Sequence, residues 1–205
     1  MMCSLNFSPR QYLAQILTTR GLTSADARVL YQYQLSFAEF KEMENFLKKS
    51  FPFQNINRIG DEWAKLFTLY ASEWFRREYT AKWTWDPILS ALDIVDLPVN
   101  TRNEVVSKGL RFWKRPVIKY SKANNYLGSI FKEGGFPSRL LKEDDNRYIS
   151  IFQKVTSLYL DNKSHIDELR AEIQQELKTL PQAFEHDETL SLVIDIVKLI
   201  IEKVE

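Results

Sequence analysis

The sequence is poor in the residues that staple, ligate and turn. One cysteine, Cys3, in 205 residues excludes an internal disulfide framework and a thiolate zinc cluster. Two histidines, His165 and His186, are too few for a conventional multi-histidine metal site. Both fall in polar stretches near expected helix starts and read as surface or capping residues. A catalytic histidine would need an orienting acid and a nucleophile beside it. Glycine supplies six residues, under half its usual share of about 7%. Sheets joined by tight turns use more, so the scarcity favours helices. The start of the chain lacks the basic-then-apolar order of a signal peptide. The most apolar stretch, Leu190 to Ile201, is interrupted by Ser191, Asp195 and Lys198. It is shorter than the ~20 residues of a membrane span, so no membrane partner is expected and the default compartment is the cytoplasm. Gly134-Gly135 is not followed by the lysine and hydroxyl residue of a phosphate loop, and no serine sits in a G-x-S-x-G elbow. No cofactor, no metal and no enzymatic activity are expected.

What is present is helix punctuation. Ser8-Pro9 is a cap followed by a first-turn proline, and Gly21 closes the run Arg10 to Arg20. Ser24 is placed to cap a second helix through Leu35. Ser36 with Glu39 fits a capping box opening a helix to about Lys49. Asp61 opens a helix to about Tyr79, on which Trp63, Phe67, Tyr70 and Trp74 recur at steps of three and four. Leu66 and Phe75 widen that stripe to a core-facing surface. Asp86-Pro87 starts a short helix to about Leu92, and Asn100 or Thr101 opens one through about Trp113. Val117 to Tyr120 is the one credible extended piece, too little for a sheet. Ser121 opens a helix to Lys132, stopped by Gly134-Gly135 and Pro137. Further helices are expected over 146–160, to about Leu180, and over 187–205. The expected fold is all-α: an irregular multi-helix bundle of about ten helices with no significant sheet. Residues 1–205 read as a single domain, expected to be the N-terminal part of a longer protein.

The last helix carries an apolar seam, Leu190, Ile194, Val197, Ile201 and Val204, at alternating four- and three-residue steps. Val193, Ile196, Leu199 and Ile200 spread apolar surface further round it. Burial in the chain's own core is the first reading. The second is a partner-binding surface for another protein chain, or for the remainder of a longer one.

The net charge is only +1, which excludes a uniformly polybasic protein, yet charge is unevenly placed. Residues 1–101 are neutral, 102–122 carry a net +6, and 161–205 carry a net −6. The basic segment holds Arg102, Lys108, Arg111, Lys114, Arg115, Lys119 and Lys122, interleaved with Phe112, Trp113 and Tyr120. Arg111, Lys114 and Arg115 have the spacing of one helix face. Arg76 and Arg77, with Lys82, Trp83 and Trp85, form a second aromatic-basic stretch. Cations contact phosphates and exposed indoles stack on bases, so these residues are candidate nucleic-acid-binding positions. The competing readings are solvated lysines beside core aromatics, and docking onto an acidic partner or the acidic last third of the same chain.

Candidate chemistry is sparse. Glu143-Asp144-Asp145 lacks the alternating acid spacing of a calcium loop and reads as a solvated turn. Glu73 with Arg77, and Glu78 with Lys82, are helical pairs of small stabilising effect. An acid–base site would have to be built from Glu73, Arg77 and the 143–145 cluster, with paired carboxylates of raised pKa in a shared pocket.

Two blocks carry a resemblance. Leu66 to Tyr79, with its Trp74-Phe75-Arg76-Arg77-Glu78-Tyr79, is followed by Trp83-Thr84-Trp85-Asp86-Pro87-Ile88; Tyr126 to Ser129 and Gly134 to Pro137 follow. Over about residues 5–160 the chain resembles the N-terminal region of large bacterial proteins of phage-defence islands and mobile elements, encoded near helicases and nucleases. The resemblance implies a defence-system component and carries over no catalytic residue. The expectation is therefore a non-catalytic helical module acting in assembly or nucleic-acid sensing. The alternatives are a purely structural adaptor using the C-terminal helix and an enzyme with a cryptic acid–base site.

Overall fold

The computed structural model describes residues 7–53, 55, 58–79, 84–118, 125–135 and 137–138, together with the helical residues 152–153, 156–157, 160, 194 and 196–197. The first helix, α1 (Pro9–Thr18), starts where the sequence predicts. Ser8 Oγ accepts the Gln11 N–H at 3.3 Å and Gln11 Oε1 accepts the Ser8 N–H at 2.9 Å. This reciprocal pairing satisfies two amides that a helix start leaves open. Its buried face is Tyr12, Leu13, Ile16 and Leu17. Gly21, at φ 68°, ends the segment in the left-handed conformation, with the Leu22 N–H reaching back to the Leu17 carbonyl at 3.0 Å.

The helix expected from Ser24 to Leu35 is replaced by a single 3-10 turn, Leu30–Tyr33. The cause is local competition. The Asp26 carboxylate binds both the guanidinium and the backbone N–H of Arg28, which draws the chain into a turn. Ala27 is left at φ 70° and Gln34 at φ 50°, values no α-helix accommodates.

α2 (Phe37–Ser50) opens on the predicted capping box. Ser36 Oγ accepts the Glu39 N–H at 3.1 Å, and Glu39 Oε2 accepts the Ser36 N–H at 2.7 Å. α3 (Asp61–Glu78) is the longest of the described helices. The sequence predicts one apolar stripe, but Ala64, Leu66, Phe67, Thr68, Leu69, Tyr70 and Ala71 are all at most 1% exposed. The stripe underestimates burial because Ala64, Thr68, Ala71 and Ser72 are small enough for neighbours to close over them. α4 (Asp86–Ala91) and α5 (Val99–Phe112) follow, joined by a turn in which Asp93 takes φ 57°. α6 (Asn125–Gly134) ends at the predicted glycine stop.

Among the described residues there are thus six bounded α-helices and one 3-10 turn, where the sequence predicts about ten helices, and no strand. Val117 and Ile118 are irregular, with the Ile118 N–H donating to Ser129 Oγ at 2.9 Å. Every described residue inside the helices expected over 146–160 and 187–205 is helical. The helix expected to end near Leu180 lies outside the described residues.

Where one domain is expected, the chain divides into two compact units. The first comprises Met1–Trp74 and Thr84–Gly134; the second comprises Phe75–Trp83 and Gly135–Glu205. The first unit is held by aromatic packing. Tyr12 of α1 stacks on Phe46 of α2 at 4.7 Å, Phe46 on Trp63 of α3 at 5.5 Å, Phe51 on Phe67 at 5.5 Å, and Phe67 on Trp85 at 6.2 Å. Each well-placed ring pair adds about 0.5–1.5 kcal/mol beyond the area it buries. α5 approaches α3 at Gly109, where a Cβ would lie 1.9 Å from Thr68 Oγ1 and 2.5 Å from the Ala64 carbonyl oxygen. Only a glycine allows that approach. In the second unit, the Phe75 and Tyr79 rings meet at 5.3 Å and Ser138 Oγ donates to the Arg76 carbonyl at 2.9 Å.

Candidate nucleic-acid interface

The positions singled out by charge do not form one helix face. α5 stops at Phe112 because Lys114 adopts φ 56°. The Lys114 N–H bonds the Arg111 carbonyl at 3.1 Å and the Arg115 N–H bonds the Leu110 carbonyl at 2.8 Å. This is the two-bond helix stop usually made by glycine, here with lysine at the left-handed position. It separates the expected trio. Arg111 and Lys114 are exposed. Arg115 turns inward, and its Nε–H donates to Glu133 Oε1 of α6 at 2.8 Å while Nη1 donates to the Ala27 carbonyl at 2.8 Å.

Glu133 is 1% exposed, and its second oxygen accepts the Leu30 N–H at 3.1 Å. Burial pushes its carboxyl above the usual range, against the opposing pull of Arg115 and the Leu30 N–H. One carboxylate therefore ties α6, the 3-10 turn and the exit of α5 together. Sequence alone gives no sign of it, because Glu133 and Leu30 are 103 residues apart.

The other candidate cations are also committed in part. Lys108 Nζ lies 2.7 Å from Glu104 and 3.9 Å from Asp61, and the Glu104 bond raises its pKa. Arg102 is half-buried over the Trp85 ring at 5.2 Å. Burial lowers its pKa, while Asp86 and Asp96 act in the opposite sense. Arg76 and Arg77 are half-buried on the last turn of α3, in the second unit. Lys119 and Lys122 lie outside the described residues.

The expectation of base-stacking indoles is corrected at two positions. Trp113 is fully buried, edge-on to Tyr33 at 4.8 Å, and its Nε1–H donates to the Lys65 carbonyl at 3.0 Å. Trp85 is buried between Phe67 and Arg102. Neither presents a face to a base. Both are large apolar surfaces that gain more from the core than from water. Trp83 and Tyr120 lie outside the described residues.

Of the partner-binding seam, Ile194 and Val197 are buried, at 6% and 1% exposure, and are no open surface. Leu190, Ile201 and Val204 lie outside the described residues. Glu73 is buried within α3, and the 143–145 acidic cluster lies outside the described residues. Among the described residues no group of three or more acidic, histidine or cysteine side chains is placed to hold a metal, and no helix is long and apolar enough to cross a membrane.

A second tie escaped sequence reading. Arg20 donates to both oxygens of Glu39 at 3.0 Å, to the Ile16 carbonyl at 2.8 Å and to the Tyr33 carbonyl, joining α1, the 3-10 turn and α2. Burial would raise the Glu39 carboxyl, but the Ser36 N–H and Arg20 outweigh it and hold it below the usual range.

Comparison with known proteins fits this architecture. A family model described as the YjiT N-terminal domain matches residues 4–136, and one described as the YjiT second domain matches residues 143–205. Their junction falls close to the boundary at Gly134 between the two compact units. Protein YjiT of Escherichia coli (strain K12) is 34% identical over 190 residues, covering 89% of this chain and 36% of that protein. The chain thus spans about a third of the relative's length. No solved structure matches it. With both domain models matched in order and a third of aligned positions identical, the chain belongs to the YjiT family.

Proposed function

We propose that the chain is a non-catalytic helical module that serves assembly within a larger cytoplasmic protein of bacterial anti-phage defence. The observation that carries the assembly reading is the exposure of Val95, at 95%, and Val99, at 59%, on the turn into α5. Among the described residues only four large hydrophobic side chains are exposed, and two of them lie here. Paired apolar side chains beside the exposed Pro98 and Asp96 suit a second protein surface with a polar rim. The proposed occupant is the region that follows in a longer family member, since this chain corresponds to 36% of the relative. The internal tie Arg20–Glu39 supports the role of a rigid building block.

The test mixes this chain with the separately produced following region of its own full-length protein and measures association by calorimetry. Binding that Val95→Asp with Val99→Asp weakens at least tenfold supports the reading. Association untouched by the pair, or none at all, ends it. The defence setting rests on the resemblance carried by residues 66–88 and 126–137. Deleting the gene should raise phage plating efficiency, and an unchanged efficiency across a phage panel removes that part.

A second reading keeps nucleic-acid contact, now reduced to the exposed pair Arg111 and Lys114 at the end of α5. Binding to single-stranded DNA should fall with rising salt, and Arg111→Glu with Lys114→Glu should abolish it. Salt-independent binding disposes of this reading.

A further inference from the structure

The inward turn of Arg115 has a consequence for that cationic pair. Lys114, exposed, is its sequence neighbour, and Arg111 lies one helical turn before it. Without the left-handed turn at Lys114, Arg115 would continue the helix and share a face with Arg111. Its guanidinium is instead spent on an internal anion, Glu133, and on the Ala27 carbonyl. We propose that Glu133 holds Arg115 in reserve: the Arg115–Glu133 pair is a latch that a nucleic-acid phosphate backbone competes open, releasing Arg115 to join Arg111 and Lys114. This rests on the nucleic-acid reading and is independent of the assembly reading.

Three features of the fold support a latch rather than a fixed strut. First, the pair joins a carboxylate 1% exposed to a guanidinium 19% exposed, so Arg115 reaches the surface while Glu133 does not. A solvent-borne anion can approach the arginine without entering the core. Second, burial already pushes the Glu133 carboxyl toward its neutral form, so it can take up a proton when Arg115 leaves and no uncompensated charge stays in the core. Arginine also suits phosphate, which takes its planar donors in pairs. Third, Ala27, whose carbonyl Arg115 binds, is at φ 70°, a conformation non-glycine residues avoid. Such a position persists only where surrounding contacts impose it, and release of Arg115 removes one of them. Opening breaks the two Arg115 hydrogen bonds and leaves Glu133 bonded to the Leu30 N–H.

The test compares the wild-type chain with Glu133→Gln, which removes the charge and keeps the shape. Affinity for a thymidine oligonucleotide is measured across salt, with circular dichroism confirming the fold. Glu133→Gln should bind several-fold tighter at an unchanged slope of log affinity against log salt, because the opened wild type already sets Arg115 on a phosphate. Adding Arg115→Gln to that variant should cancel the gain and flatten the slope by about 0.7, the value for one phosphate fewer neutralised on a single strand. Equal affinity of Glu133→Gln and the wild type overturns the latch, and if the wild type still binds through Arg111 and Lys114 the nucleic-acid reading survives. No binding by either protein removes both. Should Glu133→Gln fail to fold, Arg115→Gln in the otherwise wild-type chain decides: a salt slope flatter by about 0.7 supports the latch, and an unchanged slope overturns it.

Discussion

The contact between α3 and α5 yields the sharpest stability prediction. Gly109→Ala introduces one methyl group on a helix, a change that ordinarily stabilises by about 1 kcal/mol through propensity. Here the new Cβ would stand 1.9 Å from Thr68 Oγ1, 2.6 Å from Thr68 Cβ and 2.5 Å from the Ala64 carbonyl oxygen. The hydroxyl has no room to rotate clear, since Thr68 is 0% exposed, and the carbonyl belongs to the backbone of the most buried helix. Relief requires α5 to move off α3, loosening Leu110 and Val106, both fully buried. Overpacking costs about 1–3 kcal/mol, and three contacts under 3 Å place this case at the upper end, so the net loss should be about 1–2 kcal/mol after the propensity gain. Gly109→Val should be worse. Thr68→Ala in the Gly109→Ala background removes the shortest contact and should recover part of the loss. It also deletes a buried hydroxyl that has no hydrogen-bond partner. Urea titration followed by circular dichroism reads all four proteins of the double-mutant cycle. A Gly109→Ala midpoint equal to or above the wild type would refute the close-approach argument.

Other residues give equally direct outcomes. Glu133→Leu should cost about 3 kcal/mol by leaving Arg115 without its counter-charge, and Arg115→Met in the same chain should restore most of it, read by urea midpoints. Because burial raises the Glu133 pKa, the folded state favours its neutral form. That contribution is present below the ordinary glutamate pKa and is lost as pH rises through the folded value, so Glu133→Gln should flatten this part of the stability–pH curve. Glu39 acts in the opposite sense: its pKa is lowered, so its contribution holds above the ordinary value and fades as pH falls through the folded one. Glu39→Gln should diminish acid sensitivity in the same titration. Burial pushes Tyr33 up to about 12, so tyrosinate absorbance should show a late-titrating group that Tyr33→Phe removes. Trp113→Phe should cost about 1–2 kcal/mol by leaving the half-buried Lys65 carbonyl without its indole partner, read as a fall in the thermal midpoint.

Local chemistry was written in the sequence. Ser8 with Pro9 and Ser36 with Glu39 mark helix starts because a cap acts within one turn of itself, whereas Asp86, expected as a cap, is the first residue inside α4, behind Trp85. The aromatic spacing of 61–78 marks α3 because helical period is a property of neighbours three and four apart. The all-helical class follows from these signals and from the shortage of glycine.

Only the tertiary structure decided what the charges do. Arg111, Lys114 and Arg115 look alike in sequence, yet one left-handed residue separates them, and a glutamate from another helix captures the third. Which aromatic becomes core was also decided at long range: Trp113 is sealed by Tyr33 and by the Lys65 carbonyl, 80 and 48 positions away. The physical reason is one of range. Backbone preference and capping are settled within a turn of helix, whereas the sign and reach of an ion pair depend on burial, and burial exists only once the helices have packed.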